Sequence, residues 1–310
     1  MGAIIKVEHL SHRYSVQWAI KDINIEIPRK GIYGLLGSNG AGKSTLMNSI
    51  CGIIKPTEGK IYIDSVEIGE NPILAKSKIG FLPQQPPVYG DLNVYEYLYY
   101  AAELRGMETR EIPAAIERVL ELCQIAHFRK RLIRNLSGGY QQRVGIAQAI
   151  IHQPDIVIFD EPTNGLDPNQ VADIRSLIRL IAQEHTVIFS SHILQEVRAL
   201  CEHIYMIEQG EVAFDGSIEE FDSLASPDSI FVTLRDAPAL SSIELIDGVM
   251  GVEELGDDNF RIRFSDARLA MDGLVRASTE NRWRMTEIRL EKKSLEAIFA
   301  ELVQQAKERQ

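Results

Sequence analysis

Apolar and polar positions alternate along the first sixty residues. In "IIKVEHLSHRY" and "AIKDINIEI" the alternation has the short period of strands with one buried face. "GIYGLLG" is a short apolar strand running into a glycine loop, "STLMNSICGI" reads as a helix, and "GKIYIDSVEI" as a strand pair. From about Asn93 the period lengthens. In "NVYEYLYYAAELRG" Val94, Leu98, Ala101 and Ala102 share one helical face, and Asn93 with Glu96 makes a capping pair. In "EIPAAIERVLELCQI" Ile112, Ile116, Val119 and Cys123 do the same, and the helical block runs to about Ile150. "PDIVIFD" and "HTVIFSSH" are then continuous β-rich apolar runs, the pattern of strands buried on both faces of a parallel sheet. Between them "PNQVADIRSLIRLIAQE" predicts a helix with Asp167 as its cap and Pro168 in its first turn.

A polar, turn-rich stretch, "SIEEFDSLASPDS", places a boundary near 217–228. Beyond it come a strand ("IFVTLRD"), a helix ("ALSSIELI"), two strands ("GVEEL", "NFRIRF"), a helix ("ARLAMDGLVRAS"), a strand ("RMTEIRL") and a helix ("SLEAIFAELVQQ"). That order predicts a small ferredoxin-like α+β domain with an added helix over 225–310. It follows an α/β domain over 1–220, in which the helical block forms a subdomain at about 90–150. No internal repeat or low-complexity tract interrupts the pattern.

Composition narrows the class. The chain has 310 residues, 45% hydrophobic and 25% charged, ordinary for a globular protein and long enough for about two domains. A net charge of -11 opposes a nucleic-acid partner and direct docking on anionic lipid, since both call for basic surfaces. No apolar run approaches the roughly 20 residues that span a bilayer, and "MGAIIKVEHL" lacks the pattern of a secretion signal. Cys51, Cys123 and Cys201 are odd in number and far apart, and read as reduced thiols of a cytosolic protein.

Three stretches carry candidate chemistry. "GSNGAGKST", Gly37 to Thr45, fits G-x-x-x-x-G-K-[ST] through Gly37, Gly42, Lys43 and Ser44, with a strand before and a helix after. The backbone N–H groups of Ser38, Asn39, Gly40 and Ala41 can turn inward around phosphate, and the helix adds its positive end. Lys43 is placed for the β- and γ-phosphates and Ser44 for Mg²⁺. "IVIFDE" ends a buried strand on two carboxylates. Asp160 suits a Mg²⁺–water ligand, and Glu161 can orient or deprotonate a water. "LSGGYQQR" opens a helix with Ser137 as cap and two glycines, Gly138 and Gly139, just inside, where each costs about 1 kcal/mol relative to alanine.

Phosphate loop, "LSGGYQQR" and "IVIFDEPTNGLD", in this order and spacing, resemble the nucleotide-binding domain of ATP-binding cassette (ABC) transporters over residues 1–220. The resemblance implies a phosphate-loop NTPase of the ABC ATPase type, with an antiparallel β subdomain and a helical subdomain carrying the signature. It also implies further roles. Gln84 in "IGFLPQ" stands at the loop that senses Mg²⁺ and the membrane partner. Asp167 in "NGLD" belongs to the D-loop, and His192 in "FSSH" contacts the γ-phosphate. Tyr14 matches the aromatic that stacks on adenine, with Trp18 close enough to compete. Ser38 stands where many relatives have proline, and Ser44 where many of this subgroup have threonine; at position 44 a serine or a threonine hydroxyl can bind Mg²⁺. Two copies are expected to close head to tail around two ATP molecules, Ser137 and Gly139 of one copy facing the γ-phosphate held by the other.

With one cassette and no apolar span, the chain resembles a separate ATPase subunit that joins a membrane permease. It would thus be cytoplasmic and peripheral on the inner face of the cell membrane. "GFLPQQPPVYGDLNVYEYLYYAAELRGM" and "SSHILQEVRALCEHIYMIEQGEVAFDG" look like the type-2 exporter group (drug, polysaccharide and gliding-motility-type), whose ATPases often end in an appendage with a motif like "SLEAIF", here Ser294 to Phe299. The competing class is a soluble ABC ATPase of translation or DNA repair. Those carry paired cassettes with a charged linker, or long coiled coils and zinc hooks, and this chain has one phosphate loop, no CxxC and no sustained heptads.

Overall fold

The computed structural model describes residues 2–28, 30–224 and 227–291. The chain divides into two compact units, Met1–Ile218 and Glu219–Gln310. In the first unit the alternating segments become β1 (Ile5–Tyr14) and β2 (Gln17–Ile27), followed by β3 (Gly31–Leu36) and α1 (Lys43–Ile50). Next come β4 (Glu58–Ile63), β5 (Val66–Glu67), α2 (Pro72–Ser77) and β6 (Ile79–Leu82). The helical block is α3 (Val94–Leu104), α4 (Ile112–Leu122) and α5 (Gly138–Ile150), which pack on one another. The unit continues with β7 (Ile156–Phe159), α6 (Pro168–Ile181), β8 (Thr186–Ser191), α7 (Leu194–Leu200), β9 (His203–Glu208) and β10 (Glu211–Ser217).

Two sheets result. β2-β1-β4-β5 is antiparallel, and the six-stranded sheet runs β10-β9-β3-β8-β7-β6, parallel except where β10 turns back on β9. Every residue of β7 and β8 is buried, as their continuous apolar runs require of strands covered on both faces. One core joins the inward residues of β1, β2 and β4 to Leu46, Met47 and Ile50 of α1 and to Ile156, Ile158 and Ile188 of the parallel strands. α1 is therefore held between the two sheets, and the loop that opens it is fixed from both sides. The capping pair forms as a full capping box, Asn93 Oδ1 accepting from Glu96 N and Glu96 Oε2 from Asn93 N, both at 2.9 Å.

The second unit, after α8 (Ile218–Leu224), contains β11 (Ser229–Leu234), α9 (Leu240–Glu244), β12 (Val249–Gly256), β13 (Asn259–Phe264), α10 (Ala267–Asn281) and β14 (Met285–Glu291). Its sheet order is β12-β13-β11-β14, antiparallel throughout. Ile230, Val232, Phe260 and Ile262 pack with Leu274 of α10 into a separate core. The turn-rich boundary stretch differs from its expected form. Part of it folds as α8, because Glu219 and Glu220 favour the positive helix start and Phe221 is fully buried. The last expected helix, with "SLEAIF", lies outside the described residues.

Candidate functional site

β3 lies between β8 and β9 and delivers the chain to the glycine loop. Gly37 runs so close to β9 that a Cβ there would stand 2.4 Å from the Ile207 carbonyl oxygen. The sheet by itself thus demands glycine there. Gly42, at φ +111, is the N-cap of α1, and a Cβ there would lie 2.6 Å from the Ala19 carbonyl oxygen. Lys43 folds back over the loop and donates to the carbonyls of Gly37 at 2.9 Å and Ser38 at 3.0 Å. Burial pushes this ammonium below its ordinary pKa, while the neighbouring Glu161 and Asp160 carboxylates pull it back up.

Facing the loop, β7 ends on Asp160 and Glu161. One hydroxyl organises both: Ser190 Oγ donates to Asp160 Oδ1 at 2.6 Å and accepts from Glu161 N at 2.9 Å. Glu161 sits at φ +46, a left-handed conformation that costs a non-glycine residue about 1–3 kcal/mol. That turn brings its carboxylate where three other segments converge. Oε1 lies 3.7 Å from Lys43 Nζ and 3.3 Å from His192 Nδ1, and Oε2 accepts from Gln84 Nε2 at 3.2 Å. These groups line a cavity of about 460 Å³ together with Asn39, Gly40, Gly42, Ser44 and Thr45.

The expected residues are therefore not all on one wall. Ala41 is buried, and Ser38 turns its hydroxyl to Glu208 Oε2 at 2.9 Å. Asp160 is buried against Ser190. Tyr14 is exposed at the end of β1, edge-on to His12, and Trp18 lies under the Arg13 guanidinium; neither lines the cavity, whereas Ala19 does. Asp167 Oδ1 caps α6, accepting from Asn169 N and Gln170 N at 3.0 Å each. Ser137 holds the N-cap position of α5, but its side chain makes no capping bond. Ser137 and Gly138 are exposed, and the wall of the cavity contains neither. At Gly138 a Cβ would meet nothing within 4 Å, whereas at Gly139 it would lie 2.8 Å from the Gln170 carboxamide. Gly138 thus leaves open backbone, while Gly139 also makes room inside its own chain.

Reading by pattern missed Ser190, Ala19, Asn164 and Glu196. Asn164 lines the cavity and Glu196 is buried just behind it, tied to Ser191 beside His192. The only signal was a pair of serines closing an apolar run. Chemically, the site joins a cationic loop able to cradle an anionic group to a carboxylate able to take a proton from water.

Residues 20–164 match the family profile described as ABC transporter, a span that holds the glycine loop, Gln84, the 136–143 stretch and the carboxylate pair. The bacitracin transport ATP-binding protein BcrA of Bacillus licheniformis is 32% identical over 308 residues, 98% of each chain. This chain belongs to the ATP-binding subunits of ABC transporters. The ABC subunit is accordingly an ATPase whose turnover is coupled to transport. Its fold is similar to that of cbiO1 from Clostridium perfringens, described as part of the ABC transporter complex cbiONQ (TM-score 0.66, 31% identity, 72% of this chain and 92% of that one). It is also similar to the dimeric post-hydrolysis cassette MJ0796 bound to ADP and Pi (TM-score 0.63, 28% identity, 69% and 98%). The BcrA match extends over both units of the ABC subunit, whereas the two solved structures match about the length of the first.

Proposed function

We propose that this ABC subunit hydrolyses ATP between two copies of itself and drives a separate membrane permease in the export direction. The observation that carries the reading is the convergence of Lys43, Gln84 and His192 on Glu161 beside the glycine loop. The triphosphate would lie in the loop from Gly37 to Thr45, its β- and γ-phosphates neutralised by Lys43 and by the start of α1. Glu161 would accept a proton from the attacking water, His192 would contact the γ-phosphate, and Gln84 would report occupancy to the permease. Tyr14 is our candidate for the adenine contact.

The donor set suits a Mg²⁺ ion. Ser44 supplies a hydroxyl in the cavity and Asp160 a carboxylate behind it, while no cluster of three His, Cys, Asp or Glu able to hold a metal occurs among the described residues. That fits an ion bound mainly by phosphates and water with few protein ligands. When bound, Mg²⁺ would neutralise charge developing on the phosphates. Ser137, Gly138, Gly139 and Asp167 are assigned to the site of the other copy. The unbonded Ser137 cap, its exposure and its absence from the wall of this chain's own cavity support that assignment.

The bacitracin transport relative, alike over both units, supports an exporter reading, with the transported molecule chosen by the permease. None of the described helices is long and apolar enough to cross a membrane, in keeping with a peripheral position on the inner face. For the second unit we infer a ferredoxin-like fold, supported by its strand–helix–strand–strand–helix–strand order and its sheet order β12-β13-β11-β14. The test of the catalytic reading is Glu161→Gln. It should bind ATP, accumulate as an ATP-bound dimer in size-exclusion chromatography and hydrolyse at least ~100-fold more slowly, the range a general base contributes. Normal turnover would remove Glu161 from the role of base.

A further inference from the structure

We infer that Glu196 is a positioning residue for hydrolysis: one buried carboxylate that holds the loop after Glu161 and the loop carrying His192 at a fixed spacing. The inference rests on the roles proposed above for Glu161 and His192. Glu196 lies on α7 and is 4% exposed. Its Oε2 accepts two hydroxyls at once, Thr163 Oγ1 at 2.7 Å and Ser191 Oγ at 2.8 Å. Thr163 and Ser191 are themselves buried. Thr163 stands two residues after Glu161 and four before Asp167, and Ser191 immediately precedes His192. Ser191 Oγ also accepts the Ile193 amide at 3.0 Å, so the turn on either side of His192 is pinned by the same hydroxyl. The other carboxylate oxygen lies 3.8 Å from Arg175 on α6, the helix that Asp167 caps.

The arrangement is expensive to keep for stability alone. A buried carboxylate is desolvated, and a well-packed apolar side chain in its place is often neutral or stabilising. What an apolar residue cannot do is fix two separate loops through one atom. Hydrogen bonds from neutral hydroxyls to a carboxylate are short and strong, and they specify geometry as well as energy. Through Oε2, movement of the 161–167 loop is transmitted to His192, and the reverse. The proton acceptor and the phosphate contact are thereby set as a unit, together with Asp167, which we assign to the second copy's site.

The test uses the full chain. Thr163→Val keeps shape and removes one hydroxyl, and Ser191→Ala removes the other. Glu196→Ala removes the acceptor, and Glu196→Gln keeps an oxygen able to accept from both. The expected result is a fall in kcat of about 10- to 100-fold for Thr163→Val and Glu196→Ala, the order of loss that a misplacement of up to about 1 Å at the reacting groups produces. KM for ATP should be little changed, since neither touches the glycine loop. Glu196→Gln should recover most of the turnover. Thr163→Val with Ser191→Ala should be no slower than Glu196→Ala, because all act through one oxygen. Wild-type kcat in folded Thr163→Val and Glu196→Ala, with only the melting temperature lowered, would overturn the inference. So would a raised KM at unchanged kcat. Glu161→Gln measured alongside separates the two ideas. If it is inactive while Glu196→Ala turns over normally, only the clasp falls; if it is active, the assignment of the base falls.

Discussion

Ser190→Ala removes a single oxygen from the fully buried end of β8, yet it strikes both carboxylates of the site. Asp160 loses a charge-assisted hydrogen bond, worth roughly 1.5–3 kcal/mol. The Glu161 amide loses its acceptor in a buried setting, a further ~1–3 kcal/mol. Against this, Glu161 can slip out of its left-handed conformation and recover part of the ~1–3 kcal/mol stored there. The net expectation is a destabilisation of about 3 kcal/mol, which lowers the melting temperature of a unit this size by roughly 6–12 °C. Turnover should fall by at least ~10-fold, because relaxation of Glu161 moves its carboxylate away from Lys43, Gln84 and His192. Scanning calorimetry read beside steady-state phosphate release measures both. A melting shift under about 2 °C with unchanged kcat would refute the reasoning, since it would mean that the hydroxyl organises neither carboxylate.

Ser137→Arg places a cation on the exposed start of α5. It should abolish turnover while ATP binding by the monomeric chain, followed by fluorescence of a labelled nucleotide, stays nearly intact; lost binding would place Ser137 in its own chain's site. His152 tests stability against pH. Burial holds its pKa down at about 4, Nε2 lies 3.3 Å from the Ile79 carbonyl oxygen, and Nδ1 is buried without a partner. The unfolded chain protonates this imidazole near pH 6.5 and the folded one does not until about pH 4, so its effect is nil above 6.5 and stability is lost as pH falls between those values. The loss should reach about 2 kcal/mol by pH 5, and urea titrations at pH 7.5 and 5 should show a smaller loss for His152→Gln; equal losses would sink the idea.

Much of this was legible in the sequence because it depends on period and spacing. The alternation of β1 and β2, the continuous runs of β7 and β8, and the Asn93–Glu96 box are local patterns and fold as read. The glycine loop was legible for the same reason, although Gly37 answers to β9, which lies 170 residues away in the chain and could not be foreseen. Ser190 and Glu196 were not legible. A serine closing an apolar strand and a glutamate on a short helix are ordinary at those places. Their meaning depends on partners 29 to 33 residues distant, Asp160 and Glu161 for Ser190 and Thr163 for Glu196, brought together by the parallel crossover. Ser137 shows the opposite case. It stands where a cap belongs, and its hydroxyl does not cap.

The left-handed turn at Glu161 has a consequence for anyone seeking a hardier version of this subunit. Glycine or asparagine would adopt that backbone more cheaply, so a search scored on heat resistance alone would favour discarding the glutamate. Glu161 is one of several described non-glycine residues in that conformation, and it is the one that we assign as the proton acceptor for ATP hydrolysis. Position 161 should be held constant in such a search, and stability sought among exposed residues far from the glycine loop.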